Sequence, residues 1–157
     1  MPKAILMKEI VIREGSIDDL DAALTLIQEL AIYEKAEGEV ITDLESMKRD
    51  GFGEHPAFGF FVAEESGEIL GMALHYVKYS TWKGKCLFLE DLIVSEKHRR
   101  RGIGGMLFHR LIELAKERGV KRMEWQVLDW NAPAIEFYKK YQSTIEPEWL
   151  NCKLVFD

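Results

Sequence analysis

The chain has 157 residues, of which 47% are hydrophobic and 31% are charged. This length is enough to bury a substantial core, so we expect residues 1–157 to form a single folded domain. The net charge of −6 argues against a general nucleic-acid binder, which needs a basic surface, and it favours a cationic partner.

The cysteines, the histidines and the apolar runs bear on the cellular compartment and on metal and membrane binding. Cys86 and Cys152 are too few for a disulfide framework or a zinc site, and both lie in strand-like apolar runs, so we expect buried thiols. The histidines have no metal-ligand spacing, and we assign no metal. No run approaches the roughly 18 apolar residues of a membrane span. We therefore expect a cytoplasmic protein with no membrane partner and no nucleic-acid partner.

The amino-terminal third predicts one strand followed by two helices. A β-branched run over residues 9–15 predicts the strand. Ser16 opens a capping box, and apolar residues three and four apart then predict a helix to about Tyr33. A second capping signature at Thr42–Glu45 begins a shorter helix that Gly51 is expected to end.

The rest of the chain predicts further strands and two more helices. Residues 58–80 predict two strands joined by a tight turn, and residues 85–94 predict a third. The later elements are, in chain order, a helix ending at Gly119, a strand over 120–128, a helix over 132–140 and a strand over 149–156. This order predicts an α/β fold with a mixed, mostly antiparallel central sheet flanked by helices.

The segment Arg99–Gly105 lies where the 85–94 strand gives way to a helix. Its peptide N–H groups are the unpaired donors of a helix start, its glycines allow close approach, and its arginines add positive charge. A diphosphate suits such a place, and a solvated basic loop is the alternative. A P-loop is absent, because Cys86 stands where its Ser or Thr belongs. A dinucleotide motif fits poorly, because Leu107 occupies the position of its third glycine.

Two motifs resemble those of a known family. Arg-x-x-Gly-x-Gly at Arg99–Gly104 and Asn-x-x-Ala-x-x-Phe-Tyr at Asn131–Tyr138 resemble signatures of the GNAT superfamily of N-acetyltransferases. Within it, the chain resembles the diamine (spermidine/spermine) and thialysine acetyltransferases, through IQELAIYEK (27–35), DGFGEHPAF (50–58), TWKGKCLFLEDLIV (81–94) and WNAPAIEFYKK (130–140). The resemblance implies the GNAT fold, acetyl-CoA as co-substrate, a small cationic amine as second substrate, and a homodimer.

The resemblance also assigns residues to two binding sites. Peptide edges in the 85–94 strand are expected to pair with pantetheine as a neighbouring strand would. The cofactor-binding set is Leu92, Ile93, Val94, Arg99, Arg100, Arg101, Gly102, Ile103, Gly104, Gly105, Asn131 and Ala134. The amine-binding set is Tyr33, Glu34, Trp82, Glu90, Asp91, Trp125 and Gln126. The alternatives are that the aromatic residues are packing and that Asn131 is only a helix cap.

Acetyl transfer to an amine needs a proton acceptor and a proton donor. An alkyl ammonium has a pKa of about 10.4, so a carboxylate is needed to attract the cation and relay its proton. The resemblance gives this role to Glu90, and it makes Tyr138 the acid that protonates the departing thiolate. The alternatives are that Glu90 is only an exposed acid on the strand and that Tyr138 is only an aromatic residue of the core. Strand alternation puts Glu90 and Asp91 on opposite faces, which argues against both lining one pocket.

Several functions are compatible with these residues. The leading one is an enzyme that acetylates a primary amine of a polyamine or of a lysine-like amino acid, and the sequence does not rank these two. An acetyltransferase for a protein lysine or another small amine is an alternative. So is a non-catalytic acyl-CoA-binding module, against which the presence of both Glu90 and Tyr138 counts. A dinucleotide oxidoreductase fits least well.

Overall fold

The computed structural model describes residues 8–157, which divide into two compact units. The first unit runs to Trp125 and the second from Gln126 to Asp157. The single domain expected from the chain length stays a prediction. Among the described residues, no helix combines the length and the apolar character needed to cross a membrane.

The first unit is built around one sheet. Its elements are β1 (Val11–Glu14), α1 (Leu20–Tyr33), α2 (Leu44–Phe52), β2 (Gly59–Glu65), β3 (Glu68–Ser80), β4 (Gly84–Val94), α3 (Ile103–Glu117) and β5 (Met123–Trp125). Within the described residues, five strands lie in the order β1-β2-β3-β4-β5. Neighbouring strands are antiparallel except for β4 and β5, which are parallel. This confirms the predicted α/β fold with a mixed, mostly antiparallel sheet.

Helices α1 and α2 cover one face of the sheet. Leu20, Ala23 and Leu26 of α1 and Met47 of α2 are buried against strand residues at alternate positions, namely Phe60, Val62, Met72, Leu74 and Ile93. Successive strand residues point to opposite faces, so this alternation identifies a single side of the sheet. We call this side, defined by Met72, Leu74 and Ile93, the α1 face.

Helix α3 covers the opposite side, which we call the α3 face. Its apolar stripe, Ile103, Leu107, Phe108 and Leu111, is fully buried, as the three-and-four spacing of these residues predicts. The Phe108 ring meets the Trp125 ring of β5 edge-on, with centroids 5.3 Å apart. Hydrophobic burial on both faces therefore fixes the sheet between α1 and α3.

Helix α2 begins where the sequence predicts and ends later. The Asp43 carboxylate accepts a hydrogen bond of 2.8 Å from the Ser46 amide, which confirms the cap. The expected stop at Gly51 is wrong, because the helix continues to Phe52. A Cβ on the buried Gly51 would lie only 2.5 Å from the Phe58 ring. This glycine therefore makes room for an aromatic ring and does not end the helix.

The second unit contains α4 (Ala132–Lys139), as predicted. The predicted strand over 149–156 is wrong, since that segment forms no strand and leaves Trp149 72% and Leu154 83% exposed. Strand propensity takes effect only where a neighbouring strand accepts the backbone hydrogen bonds and covers the side chains. For the same reason Cys152 is exposed, contrary to expectation, whereas Cys86 is buried as predicted. The predicted strand over 120–128 shortens to β5.

Candidate active site

A bulge in β4 decides which side chains share the α1 face. The register pairs Leu74 with Asp91 and His75 with Leu89, so Glu90 is an extra residue in β4. Asp91 lies opposite Leu74 and therefore on the α1 face. Glu90 reaches the same face, because its Oε2 accepts a hydrogen bond of 2.9 Å from the Tyr76 hydroxyl. The sequence argument that alternation separates Glu90 from Asp91 is wrong, because the bulge breaks the alternation.

Three carboxylates, Glu34, Glu90 and Asp91, form what we call the acidic cluster. Glu34 is contributed by the end of α1, and burial raises its pKa. Burial, together with the negative charges of Glu90 and Glu34, raises the pKa of Asp91 to about 6. A cation among these groups would stabilise their ionised forms. The cluster is therefore suited to an ammonium group.

An aromatic pair, Tyr76 and Phe88, lies beside the acidic cluster, and the sequence analysis named neither as a site residue. The Tyr76 ring stacks on the ring of Phe88, its partner across the strands, with centroids 5.2 Å apart and planes at 27°. Tyr76 is two residues beyond Leu74 on β3, so strand periodicity could have placed it on the α1 face. Its contact with Glu90 depends on the bulge, which has no signature in the sequence.

Lys78 and Glu124 continue the α1 face away from the acidic cluster. Lys78 Nζ lies 3.5 Å from Glu124 Oε1 and 5.5 Å from the Phe88 ring centroid. Glu124 also lies 3.5 Å from Arg122 Nε, so two cations accompany its carboxylate. The negative charge of this carboxylate is therefore balanced by two neighbouring cations of the protein.

The loop Arg99–Gly105, which we call the anion loop, leads from β4 into α3. Gly102 is the N-cap of α3 and has a φ of 76°, a left-handed conformation that suits glycine. Within residues 8–157, no side-chain oxygen caps this helix start. The first-turn N–H groups of a 15-residue helix are thus left to an external acceptor, such as a phosphate.

Two arginines of the anion loop have partners within the protein. The Arg101 guanidinium makes two hydrogen bonds of 3.0 Å to the Glu65 carboxylate. Arg99 Nε donates to the Val94 carbonyl at 3.2 Å, and its Cζ lies 5.3 Å from the centroid of the Tyr33 ring. Arg99 therefore connects the anion loop with the end of α1, next to Glu34.

One edge of β4 opens beyond the bulge. Strand β5 pairs with β4 only from Leu87 to Leu89. On that side, the predicted cofactor-binding stretch Leu92–Val94 has no partner strand among residues 8–157. An extended molecule with amide groups, such as pantetheine, could pair there as an added strand.

Two tryptophans predicted to bind the amine lie away from the acidic cluster. Trp82 lies in the turn between β3 and β4, is 82% exposed, and is separated from Glu90 by about 20 Å of strand. Trp125 pairs with Leu89 in the ladder and packs on Phe108, so it belongs to the α3 face. Their roles as substrate residues stay predictions.

The remaining predicted residues belong to the second unit. Gln126 Nε2 donates to Asn151 Oδ1 at 2.6 Å. The Asn131 side chain accepts from the Ala134 amide at 3.4 Å, so the predicted helix cap is confirmed. The Tyr138 ring lies 5.2 Å from that of Phe137, centroid to centroid, and its carbonyl accepts from Ser143 Oγ at 3.0 Å. A chemical role for Tyr138 therefore stays a prediction.

Comparison with known proteins identifies the family. Residues 23–142 match the acetyltransferase (GNAT) family. Thialysine N-epsilon-acetyltransferase of Bos taurus is 38% identical over 93% of this chain and 92% of that protein. Spermidine/spermine N(1)-acetyltransferase-like protein 1 of Homo sapiens is 34% identical over 81% of this chain and 19% of that protein.

A solved structure supports the assignment at the level of the fold. The aminoglycoside N-acetyltransferase AAC(6')-Iy, in complex with CoA, superposes with a TM-score of 0.77 at 15% identity, covering 96% of this chain and 98% of that one. The bulge in β4 and the uncapped start of α3 thus occur in a chain whose sequence matches the GNAT family and whose fold matches the AAC(6')-Iy structure. The chain therefore belongs to the acetyltransferase (GNAT) family, and it is an N-acetyltransferase.

Proposed function

We propose that this enzyme transfers the acetyl group of acetyl-CoA to the side-chain amine of a lysine-like amino acid such as thialysine. The observation that carries the proposal is the acidic cluster beside the open edge of β4. It occurs in a chain that is 38% identical, over 93% of its length, to a thialysine N-epsilon-acetyltransferase. The acidic cluster supplies negative charge for a cationic amine, and the open edge of β4 supplies backbone groups that can pair with the amides of pantetheine.

The acidic cluster first binds and then deprotonates the amine. At pH 7 only about one alkyl ammonium in a thousand is neutral, so an acceptor for its proton is required. Glu90 takes that proton through a water molecule, and Asp91 and Glu34 add to the attraction for the cation. The neutral nitrogen then attacks the thioester carbonyl carbon, and the new C–N bond forms as the C–S bond breaks.

Tyr138 supplies the proton that the leaving sulfur requires. A phenol has a pKa near 10 and a thiol has one near 8.5, so proton transfer from the phenol to the thiolate is uphill by about 2 kcal/mol. This cost is acceptable when the transfer accompanies C–S cleavage. Solvent then returns a proton to the phenolate. The ammonium nitrogen loses two protons in all, one through water to Glu90 before the attack and one to solvent after it, whereas CoA gains one. One proton is therefore released to solvent in each turnover, and the proton count closes.

The anion loop and the edge of β4 hold acetyl-CoA, which contributes the thioester. Peptide N–H groups at Gly102–Gly105 bind the diphosphate, and the exposed Arg100 adds positive charge. Arg101 contributes through its backbone, because its guanidinium is paired with Glu65. Leu92–Val94 pair with the pantetheine amides, and Asn131 and Ala134 complete the set by resemblance.

Polyamine acetylation is the second candidate, favoured by the 34% identity to the Homo sapiens spermidine/spermine N(1)-acetyltransferase-like protein. A panel containing thialysine, lysine, ornithine, spermidine, an aminoglycoside and a lysine peptide separates the candidates when free CoA release is measured. We expect the highest kcat/KM for thialysine. A higher value for spermidine would favour the second candidate, and release with the peptide alone would refute both.

We also propose a cytoplasmic homodimer. Cytoplasmic placement is supported by the free thiols of Cys86 and Cys152. The dimer is supported by the family resemblance and by exposed apolar side chains of the second unit, including Trp149 and Leu154. Sedimentation velocity at assay concentration should give a dimer, and a fully active monomer would refute this assembly.

A further inference from the structure

We propose that Tyr76 is a positioning residue for Glu90, holding one carboxylate oxygen so that the other faces the amine. This inference rests on the proposed role of Glu90 as proton acceptor. The Tyr76 hydroxyl donates to Glu90 Oε2 at 2.9 Å. An ionised carboxylate has two accepting oxygens, so a bond to Oε2 leaves Oε1 able to take a proton.

Glu90 needs such support because of where it lies. It is the extra residue of the bulge, so ladder pairing constrains it less than its neighbours in β4. Its side chain is exposed and long, and such a side chain samples several rotamers unless another group fixes it. A base must be placed within hydrogen-bond reach of its proton, so a freely rotating carboxylate would be a poor one.

Tyr76 is itself well fixed. It lies in the longest ladder of the sheet, where it pairs with Phe88 and stacks on that ring. Two rings stacked across strands restrict each other's rotation. The phenol therefore offers Glu90 a donor whose position is set by β3 and β4 and does not depend on substrate.

The hydroxyl also remains a donor across the working pH range. Burial, together with the hydrogen bond to Glu90, raises the pKa of Tyr76 to about 12. The phenol is thus protonated wherever an acetyltransferase would be assayed. This excludes Tyr76 as a base and leaves donation to Glu90 as its contribution.

The first test replaces Tyr76 by phenylalanine, which keeps the stacked ring and removes the hydroxyl. Tyr79→Phe is the matched control, because Tyr79 lies on the same strand, faces the opposite side and is 71% exposed. A hydrogen bond to a charged group is lost, so kcat with thialysine should fall about 10-fold or more, while KM for acetyl-CoA stays constant. A kcat within about twofold of wild type would overturn the proposal.

A double-mutant cycle separates positioning from a general effect on the strand. If Tyr76 acts through Glu90, Tyr76→Phe should change kcat by less than about twofold in a Glu90→Gln background. Independent, multiplying effects of the two substitutions would overturn the proposal. A wild-type protein that releases CoA with no amine would instead refute the proposed function, which is a different outcome.

A spectroscopic measurement tests the contact without using turnover. The ultraviolet difference between wild type and Tyr76→Phe at about pH 11 reports whether the Tyr76 phenol is ionised, with circular dichroism confirming that the protein is folded. We expect less Tyr76 phenolate in wild type than in Glu90→Gln, each measured against the same protein carrying Tyr76→Phe. Equal phenolate in the two proteins would overturn the proposal.

Discussion

The acidic cluster and the anion loop lie on either side of the end of β4 and handle charge in opposite ways. In the acidic cluster, burial and the like charges of Glu90 and Glu34 raise the pKa of Asp91 to about 6. In the anion loop, the Arg101 charge is paired with Glu65. The cluster therefore gains stability when a cation arrives. The loop must bind its anion mainly through peptide N–H groups of α3.

The largest expected effect tests the anion-loop half of this comparison. Replacing Gly102 and Gly104 together by aspartate should raise the Kd for acetyl-CoA by more than about 100-fold, because two negative charges would face the diphosphate. The matched control replaces both by asparagine, which has the same size, tolerates positive φ and carries no charge. Titration calorimetry on both proteins measures the difference. Unchanged affinity in the aspartate variant would contradict a diphosphate site at this loop.

Tyr138→Phe should affect neither the acidic cluster nor the anion loop, so it separates a loss of chemistry from a loss of binding in either region. If Tyr138 protonates the thiolate, kcat should fall by about 100-fold, while the Kd for acetyl-CoA and the KM for the amine stay constant. Tyr141→Phe, one turn further along the chain, is the control and should keep its kcat. Steady-state kinetics on the three proteins provide the test. A kcat within about threefold of wild type would assign Tyr138 to packing alone.

Asp91→Asn tests the acidic-cluster half, with a smaller effect on stability. The pKa of Asp91 rises from 3.8 to about 6 in the folded protein, so the folded state prefers the neutral carboxyl and loses stability as pH rises through this window. The asparagine variant should therefore be more stable than wild type by about 3 kcal/mol near pH 8. The gain should vanish below about pH 3, where the carboxyl is protonated in both the folded and the unfolded state.

Urea unfolding without substrate, at several pH values, measures this gain. Asp50→Asn is the control, because Asp50 is exposed on α2 and its change should give a small effect that does not depend on pH in this way. A wild type as stable as Asp91→Asn at every pH would show that the acidic cluster is not strained.

The two regions also differ in how well the sequence predicts them. The anion loop is contiguous, so its glycines, its arginines and the stripe of α3 appear together within a short segment. The acidic cluster is assembled from α1 and β4, and its members were named only through family resemblance. Strand alternation predicted opposite faces for Glu90 and Asp91. This prediction failed because a bulge inserts one residue into the strand without any change in composition. Strand periodicity could have placed Tyr76 on the α1 face, but its contact with Glu90 depends on the same bulge.

The fold shows the same division between local and distant information. Helices α1 and α3 and the turn between β2 and β3 follow from periodicity and turn chemistry within a few residues. The stop of α2 failed because Gly51 serves the Phe58 ring, which lies outside that helix. The strand predicted over 149–156 failed because its residues have β propensity but no neighbouring strand in the described part of the chain. Contacts between distant residues decided both cases.

The most direct test of the central claim is Glu90→Gln, compared with Glu54→Gln, whose side chain is 91% exposed on the loop after α2. Initial rates of CoA release at several thialysine concentrations and pH values give kcat/KM, and calorimetry gives the Kd for acetyl-CoA. We predict that kcat/KM falls by about 100-fold in Glu90→Gln, that the deficit shrinks as pH approaches the amine pKa of about 10.4, and that acetyl-CoA affinity is unchanged. A kcat/KM equal to that of Glu54→Gln at neutral pH would contradict the account.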